Sequence, residues 1–298
     1  MLRRRRRRSG ELAPYLFISP AFIFYLLFLI IPLVGVFVLS LTRWNGFRFS
    51  DIRWIGLGNY FDLVNDPVFI KSLGNSLYFV VGSVLIETTL GLVVALLLDQ
   101  NVPYAKAIRG VFFMPSVMSL VVVGLVFKLI LSPSFGLVKP LLSFLGLGHW
   151  ARDWLGSPST ALTTMLMIQI WYIFGYSMFV FVAGLQSIDI ELYNAAKIDG
   201  ASDIQRVRYI TLPLLRETWF TVLILSVIHA MKIFTLPFVM TRGGPNHATE
   251  VLGTWAYFKS FNTLETGYGA TVSAISLVIT FVFTYLLFKA NSLARGKK

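Results

Sequence analysis

The side chains able to do chemistry in this 298-residue chain are few, and none is arranged for making or breaking bonds. His149, His229 and His247 are scattered without metal-site spacing, cysteine is absent, and no nucleophile stands beside a base in a motif. The Gly-x4-Gly-Lys-Ser/Thr loop that cradles nucleotide phosphates is also missing, since the one Gly-Lys pair, Gly296-Lys297, is followed by Lys298. What remains is a set of polar groups in apolar surroundings. Glu87, His229 and Lys232 fall inside strongly hydrophobic stretches, where a charge costs ~2.5–3.5 kcal/mol at a helix centre and so requires a partner or a wet cavity. Glu87 and Lys232 are expected to pair across the bundle or to line a path, with a packing ion pair or headgroup contact as the plainer reading. His229 stands one helical turn before Lys232, on the same face. Gln169, Trp171, Tyr172, Tyr176 and Ser177, then Thr235, then Tyr268, Ser273 and Ser276, add hydroxyl-pairing groups beside aromatic faces. That combination suits a solute with polar edges and apolar C–H patches, although a single aromatic is ordinarily interface or core packing. The chemistry is therefore recognition and passage. Gln169, Tyr172, Tyr176, His229, Lys232 and Thr235 are the candidate pathway residues, with no catalytic and no metal-binding residue.

The elements that must position these groups follow from composition. Hydrophobic residues make up 56% of the chain and charged ones 13%, with 26 Phe and a mean hydropathy of +0.73. A soluble fold could not hide that much apolar surface, so the class is an all-α integral membrane protein. Six stretches reach the ~20 residues a helix needs to cross a hydrocarbon core: Tyr15 to Leu39, Leu73 to Leu98, Val111 to Leu131, Ala161 to Leu185, Thr218 to Met240 and Tyr268 to Phe288. Pro20 and Pro32 are expected to kink the first. Gly82, Gly91 and Gly175 are expected to serve close helix packing. The net charge of +12 would suggest nucleic acid in a soluble protein, but here it marks topology. With the N-terminus inside, inner segments hold 16 Lys/Arg and outer loops eight. Both termini are thus placed in the cytoplasm. The run from Arg3 to Arg8 becomes an anchor beside anionic lipid headgroups rather than part of a cleaved signal, because the following apolar run is too long for a signal core.

Between the fourth and fifth stretches lies the most polar segment, Asp189 to Pro213. Ser187 or Asp189 can cap a short helix carrying Tyr193, Asn194, Ala195 and Ala196, and Gly200 can end it in the left-handed conformation. Ser202 with Gln205 forms the Ser-x-x-Gln signature of a capping box opening a second helix. Pro213 is expected where the chain turns towards the next apolar run. The predicted object is a helix-turn-helix at the membrane surface, with small residues where a partner can approach closely.

Asn194-Ala195-Ala196, Gly200 after three residues, and Ile210-Thr211-Leu212-Pro213 after nine more resemble the Glu-Ala-Ala-x3-Gly-x9-Ile-x-Leu-Pro loop of bacterial ABC importer permeases. Leu192-Tyr193 and Ile198-Asp199-Gly200-Ala201-Ser202 are similar to the sugar-importer branch, the larger maltose-transporter permease and its glycerol-phosphate relatives. Pro14-Tyr-Leu-Phe17, Gly56-Leu-Gly-Asn-Tyr60, Gly184-Leu-Gln-Ser-Ile188 and Gly243-Gly-Pro245 extend the likeness along nearly the whole chain. The resemblance implies a type I ABC importer permease fold with six transmembrane helices. It also implies a basic cytoplasmic N-terminus over 1–14, a membrane domain over 15–290 with a coupling loop at 186–216, and a basic tail over 291–298. It places Asn194, Ala195, Ala196, Asp199, Gly200, Ala201 and Pro213 in the contact with an ATPase, with Asn194 standing where the family has glutamate. A second permease, two ABC ATPase subunits and an external sugar-binding protein are the implied partners, with membrane lipid and no nucleic acid. ATP is used by the ATPases, this chain binding no cofactor, and the location is the bacterial inner membrane. The competing class is a self-sufficient secondary transporter, for which an intramembrane carboxylate such as Glu87 would supply ion coupling.

Overall fold

The computed structural model describes residues 13–99 and 103–295. The arginines at 3–8, and Lys297 and Lys298, lie outside the described residues. Among the described residues five helices are long and apolar enough to cross a membrane alone: α1 (Pro14–Ser40), α3 (Pro67–Asp99), α7 (Ala161–Gln186), the run Arg216–Met240, and α13 (Thr266–Arg295). A sixth crossing is possible only as a broken one, from α4 (Ala105–Val117) and α5 (Leu120–Ile130), which meet at 93°. The short elements are an antiparallel hairpin of β1 (Thr42–Arg43) and β2 (Arg53–Trp54), with α2 (Gly58–Val64), α6 (Val138–Phe144), α8 (Ile190–Ile198), α9 (Asp203–Arg206) and α12 (Leu252–Tyr257). The Arg216–Met240 run divides into α10 (Arg216–Met231) and α11 (Thr235–Met240).

Proline chemistry accounts for where these helices depart from the expected straight spans. In α1, Pro32 has no N–H to give to the Phe28 carbonyl, and a wide π-turn over Leu26–Ile30 absorbs the mismatch instead of a sharp kink. The expected third span, Val111 to Leu131, is corrected to the α4–α5 pair. Pro115 sits in the last turn of α4, and Met118 and Ser119 then adopt extended backbone angles. The carbonyl of Met118, freed at that corner, accepts a hydrogen bond from the Tyr172 hydroxyl of α7 at 3.0 Å, as a break inside a membrane requires. Likewise, the fifth span pauses at 232–234 before Pro237 falls in the first turn of α11, where its missing N–H does no harm.

Packing is tightest around α3, α7 and α10. Phe79, Met165, Leu166, Val227, Leu236, Leu252, Trp255 and Val272 fill one core cluster. Leu92, Ala95, Met178, Phe181, Leu215 and Val222 fill a second, nearer the α8 end. Glycine permits two of the closest approaches. A Cβ on Gly91 would lie 3.0 Å from the Met178 amide nitrogen, and one on Gly175 would lie 1.9 Å from the Phe112 carbonyl oxygen. At the end remote from α8, the buried Asn59 donates to the Ser40 and Thr42 carbonyls at 2.9 and 2.8 Å, and Tyr60 meets Ser40 hydroxyl to hydroxyl at 2.8 Å. The motif around Gly56 to Tyr60 thus fastens the end of α1 to α2.

Candidate functional site

The backbone corner between α4 and α5 opens a cavity of about 450 Å³ against α7 and the α10–α11 pause. Gln169, Tyr172, Tyr176, His229, Lys232 and Thr235 all line it, joined by Ser116 and Leu120 from the broken span. The helical register explains the convergence: Gln169, Tyr172 and Tyr176 are spaced three and four apart on α7, while His229 and Lys232 are one turn apart where α10 ends. Tyr176 and His229 meet edge to face, with ring centres 6.1 Å apart. Gln169 is 5% exposed, and its Oε1 finds no donor. Lys232 is exposed, and no ion pair or hydrogen bond engages its ammonium among the described residues.

Glu87 and Lys232 do not pair, and Glu87 does not reach the cavity. Glu87 is 1% exposed, at the end of a wide turn in α3 over Ser83–Glu87. Its Oε1 accepts from Ser177 Oγ of α7 at 2.6 Å and Ser226 Oγ of α10 at 2.9 Å, while Oε2 has no partner. The physical reason is that the Ser177 and Ser226 hydroxyls hold the carboxylate between α3, α7 and α10. Glu87 therefore braces three spans. Of the other candidates, Trp171 packs on Phe127 with ring centres 5.2 Å apart, Ser273 donates within its own helix to Gly269, and Tyr268 points to the α2 end. Their types suited a polar solute, but their positions on the helix do not bring them to the cavity.

The element over 189–213 folds as its caps dictate. Asp189 Oδ1 accepts from the Glu191 amide at 2.9 Å and opens α8, whereas Ser187 donates back to Gly184. Gly200 closes α8 with φ +79°, and the Ser202–Gln205 capping box opens α9 with both its hydrogen bonds made. Asp203 and Arg206 form an ion pair along α9. Tyr193 and Thr211 join hydroxyls at 2.9 Å, which holds the two arms of the element together. Asn194, Ala195, Asp199 and Gly200 are exposed, with Ala196 and Ala201 partly so. Around them Ile190, Leu192, Ile198 and Ile204 also stand free of the fold. Pro213 is exposed, in the helical turn Leu212–Leu214 just before the turn at Leu215.

One polar cluster escaped sequence reasoning. Asp66 caps α3 by accepting from the Val68 and Phe69 amides, and its Oδ2 also accepts from Trp255 Nε1 at 3.0 Å and Tyr268 Oη at 2.5 Å. Burial alone would raise the Asp66 carboxyl, but these four donors together hold it below the ordinary aspartate value. Lys259 lies over the Trp255 and Tyr268 rings and pairs with Glu265 at 2.7 Å. These groups wall a second cavity of about 720 Å³ with the β1–β2 hairpin. An Asp-Pro pair at the head of an apolar run was the available signal.

Apolar spans around a polar cavity, with a capped two-helix element standing clear at one end, are the build of a membrane transport protein. The chain belongs to the family of binding-protein-dependent transport system inner membrane components, whose sequence model matches residues 87–293. It is similar to the probable ABC transporter permease protein YurN of Bacillus subtilis, at 36% identity over 94% of this chain and 96% of that one. It is similar also to the trehalose/maltose transport system permease protein MalF of Thermococcus litoralis, at 33% identity over 94% of each chain. Its fold matches a chain of a bacterial ABC transporter involved in import of the acidic polysaccharide alginate, with a TM-score of 0.84, 24% identity and coverage of 95% and 96%. The resemblance seen in the loop and its flanking motifs is borne out. The family supports an ABC importer permease over a self-sufficient carrier.

Proposed function

We propose that the chain is the non-catalytic permease subunit of an ATP-driven sugar importer, working with a second permease, two ATPase subunits and an external binding protein. The names of its relatives, several of them sugar-transport permeases, support this reading. The observation that carries it is the α8–α9 element, where apolar side chains and small residues stand exposed on a rigidly capped frame. Exposed Ile and Leu around Ala195, Ala196 and Gly200 make a surface that a second protein covers. We assign it to the ATPase, on the cytoplasmic side, with both termini on that side. Asn194, Ala195, Ala196, Asp199, Gly200 and Ala201 form the contact, and Pro213 sets the rise of the chain back into the bilayer. The cavity at Gln169, Tyr172, Tyr176, His229, Lys232 and Thr235 is this subunit's share of the solute path. ATP is bound by the partner subunits alone.

The test is Gly200→Glu, which adds a charged side chain at the turn. It is compared with Gly200→Asn, because asparagine tolerates the left-handed backbone there. Membrane insertion is expected in both. Co-purification of the ATPase and solute-stimulated hydrolysis should be lost in Gly200→Glu and largely kept in Gly200→Asn. Normal ATPase recovery and hydrolysis in Gly200→Glu would remove the coupling assignment.

A further inference from the structure

The cavity on α7 and α10 has a charge character that goes beyond sugar recognition. Lys232 is its free cation, exposed and unengaged, and among the described residues no carboxylate lines the cavity. Glu87, buried in the bundle, is turned to Ser177 and Ser226. Gln169 also lines the cavity; it is 95% buried, and its Oε1 is fully enclosed without a donor. Tyr172 is not available to satisfy it, because its hydroxyl is held by the Met118 carbonyl. The cavity thus presents an ammonium lacking an anion beside a largely buried amide side chain.

A second cavity of about 340 Å³ lies towards the α8 end, between α4 and α7. Ser116 and Phe113 on α4, and Tyr176 and Phe179 on α7, are each three residues apart, so the two cavities are one helical turn apart along the α4–α7 interface. The Phe113 and Phe179 rings, 5.4 Å apart, stand between them. The charged residues on that second wall, Lys106 and Arg109, are again basic. Among the described residues the charged side chains lining the two cavities are Lys232, Lys106 and Arg109, with Arg109 partly offset by Asp99 nearby.

Resting on the importer reading, we propose that the solute is an acidic saccharide, a sugar or short oligosaccharide bearing a carboxylate or a phosphate. Its anion meets Lys232 and one of its hydroxyls meets the Gln169 amide, while the Tyr176 and His229 rings offer apolar faces for its C–H patches. A neutral sugar would leave Lys232 with neutral acceptors only. A hydrogen bond to a charged group is the stronger by enough to matter about tenfold in affinity.

The test uses the complete complex co-purified from its native membrane, in proteoliposomes with ATP inside and its binding protein outside. The probes are digalacturonate, glucose 6-phosphate and maltose. Uptake of at least one acidic probe should exceed that of maltose by about tenfold, and the responding probe tells carboxylate from phosphate. Lys232→Gln should cut acidic uptake by about tenfold, Lys232→Arg should restore it to within about threefold, and Gln169→Leu should lower it at unchanged complex yield. Uptake of maltose with neither acidic probe carried overturns the inference. So does an acidic uptake that Lys232→Gln leaves within about twofold of wild type. Failure of the Lys232→Gln complex to assemble also overturns it, because the counter-charge is then a protein group. Lys232-dependent acidic uptake without ATP supports the charge assignment and overturns the importer reading instead.

Discussion

At the scale of single residues, the proposed ATPase docking can be tested at Asn194, which stands where the loop resemblance expects glutamate. An exposed carboxylate here would give an ATPase cation a charge-assisted bond of ~1.5–3 kcal/mol, whereas the amide offers nearer ~1. Asn194→Ala should therefore weaken ATPase recovery only mildly, while Ala196→Trp, which fills the space for close approach, should abolish uptake. Matched complex yield and uptake assays decide it, and a severe defect from Asn194→Ala alone would give the contact to the amide. Asp66 makes a different prediction. Its carboxylate is stabilised in the fold, so it contributes stability above the unfolded value near 3.8, lost as pH falls through the lower folded value. Asp66→Ala should cost about 1–2 kcal/mol at neutral pH and flatten the acid limb of a melting-temperature profile in detergent. An unchanged acid limb would show that the cluster with Tyr268 and Trp255 does not anchor α3.

The elements show which information was local. Gly200, the Ser202 capping box and the six cavity residues were legible because caps and helical spacing are written within a few residues. The corner at Met118 was not legible, since what makes it tolerable is a hydroxyl from Tyr172, 54 residues away in sequence. The Glu87 brace was hidden for the same reason: its acceptor role depends on the rotation of two other helices. Helix seating follows the same logic and can be tested at Gly175, whose added Cβ would lie 1.9 Å from the Phe112 carbonyl oxygen. Gly175→Leu should destabilise the purified protein by about 1–3 kcal/mol through displacement of α4. Gly35→Leu, placed where an added Cβ meets nothing within 4 Å, should stay within about 0.5 kcal/mol. Equal melting temperatures for the two variants would mean that α4 and α7 do not seat on that glycine.

For the whole molecule, the lysine and arginine distribution predicts an orientation, and with it the side on which each surface would work. A reporter fused after Gly200 should read as cytoplasmic, and one after Gly146 or Gly244 as external. An external reading at Gly200 would turn the molecule over and remove α8–α9 from the reach of any cytoplasmic ATPase. The same predicted orientation would put the 720 Å³ cavity at Asp66 and Tyr268 on the outer face, where the β1–β2 hairpin shares its walls with Lys259, Glu265 and the head of α13.

The right-angled corner between α4 and α5 also bears on how the protein is made. At 1.5 Å per residue, arms of 13 and 11 residues reach only ~20 and ~16 Å, each short of a ~30 Å hydrocarbon layer. Neither arm can leave the translocon as a stable crossing of its own. The peptide groups at the bend are clasped by Tyr172, and the first arm seats on Gly175, both on α7, which the ribosome has yet to synthesise when the corner emerges. Biogenesis must therefore hold this segment unsettled until the next crossing arrives, making the α4–α7 hairpin, rather than the single helix, the smallest unit the bilayer can accept.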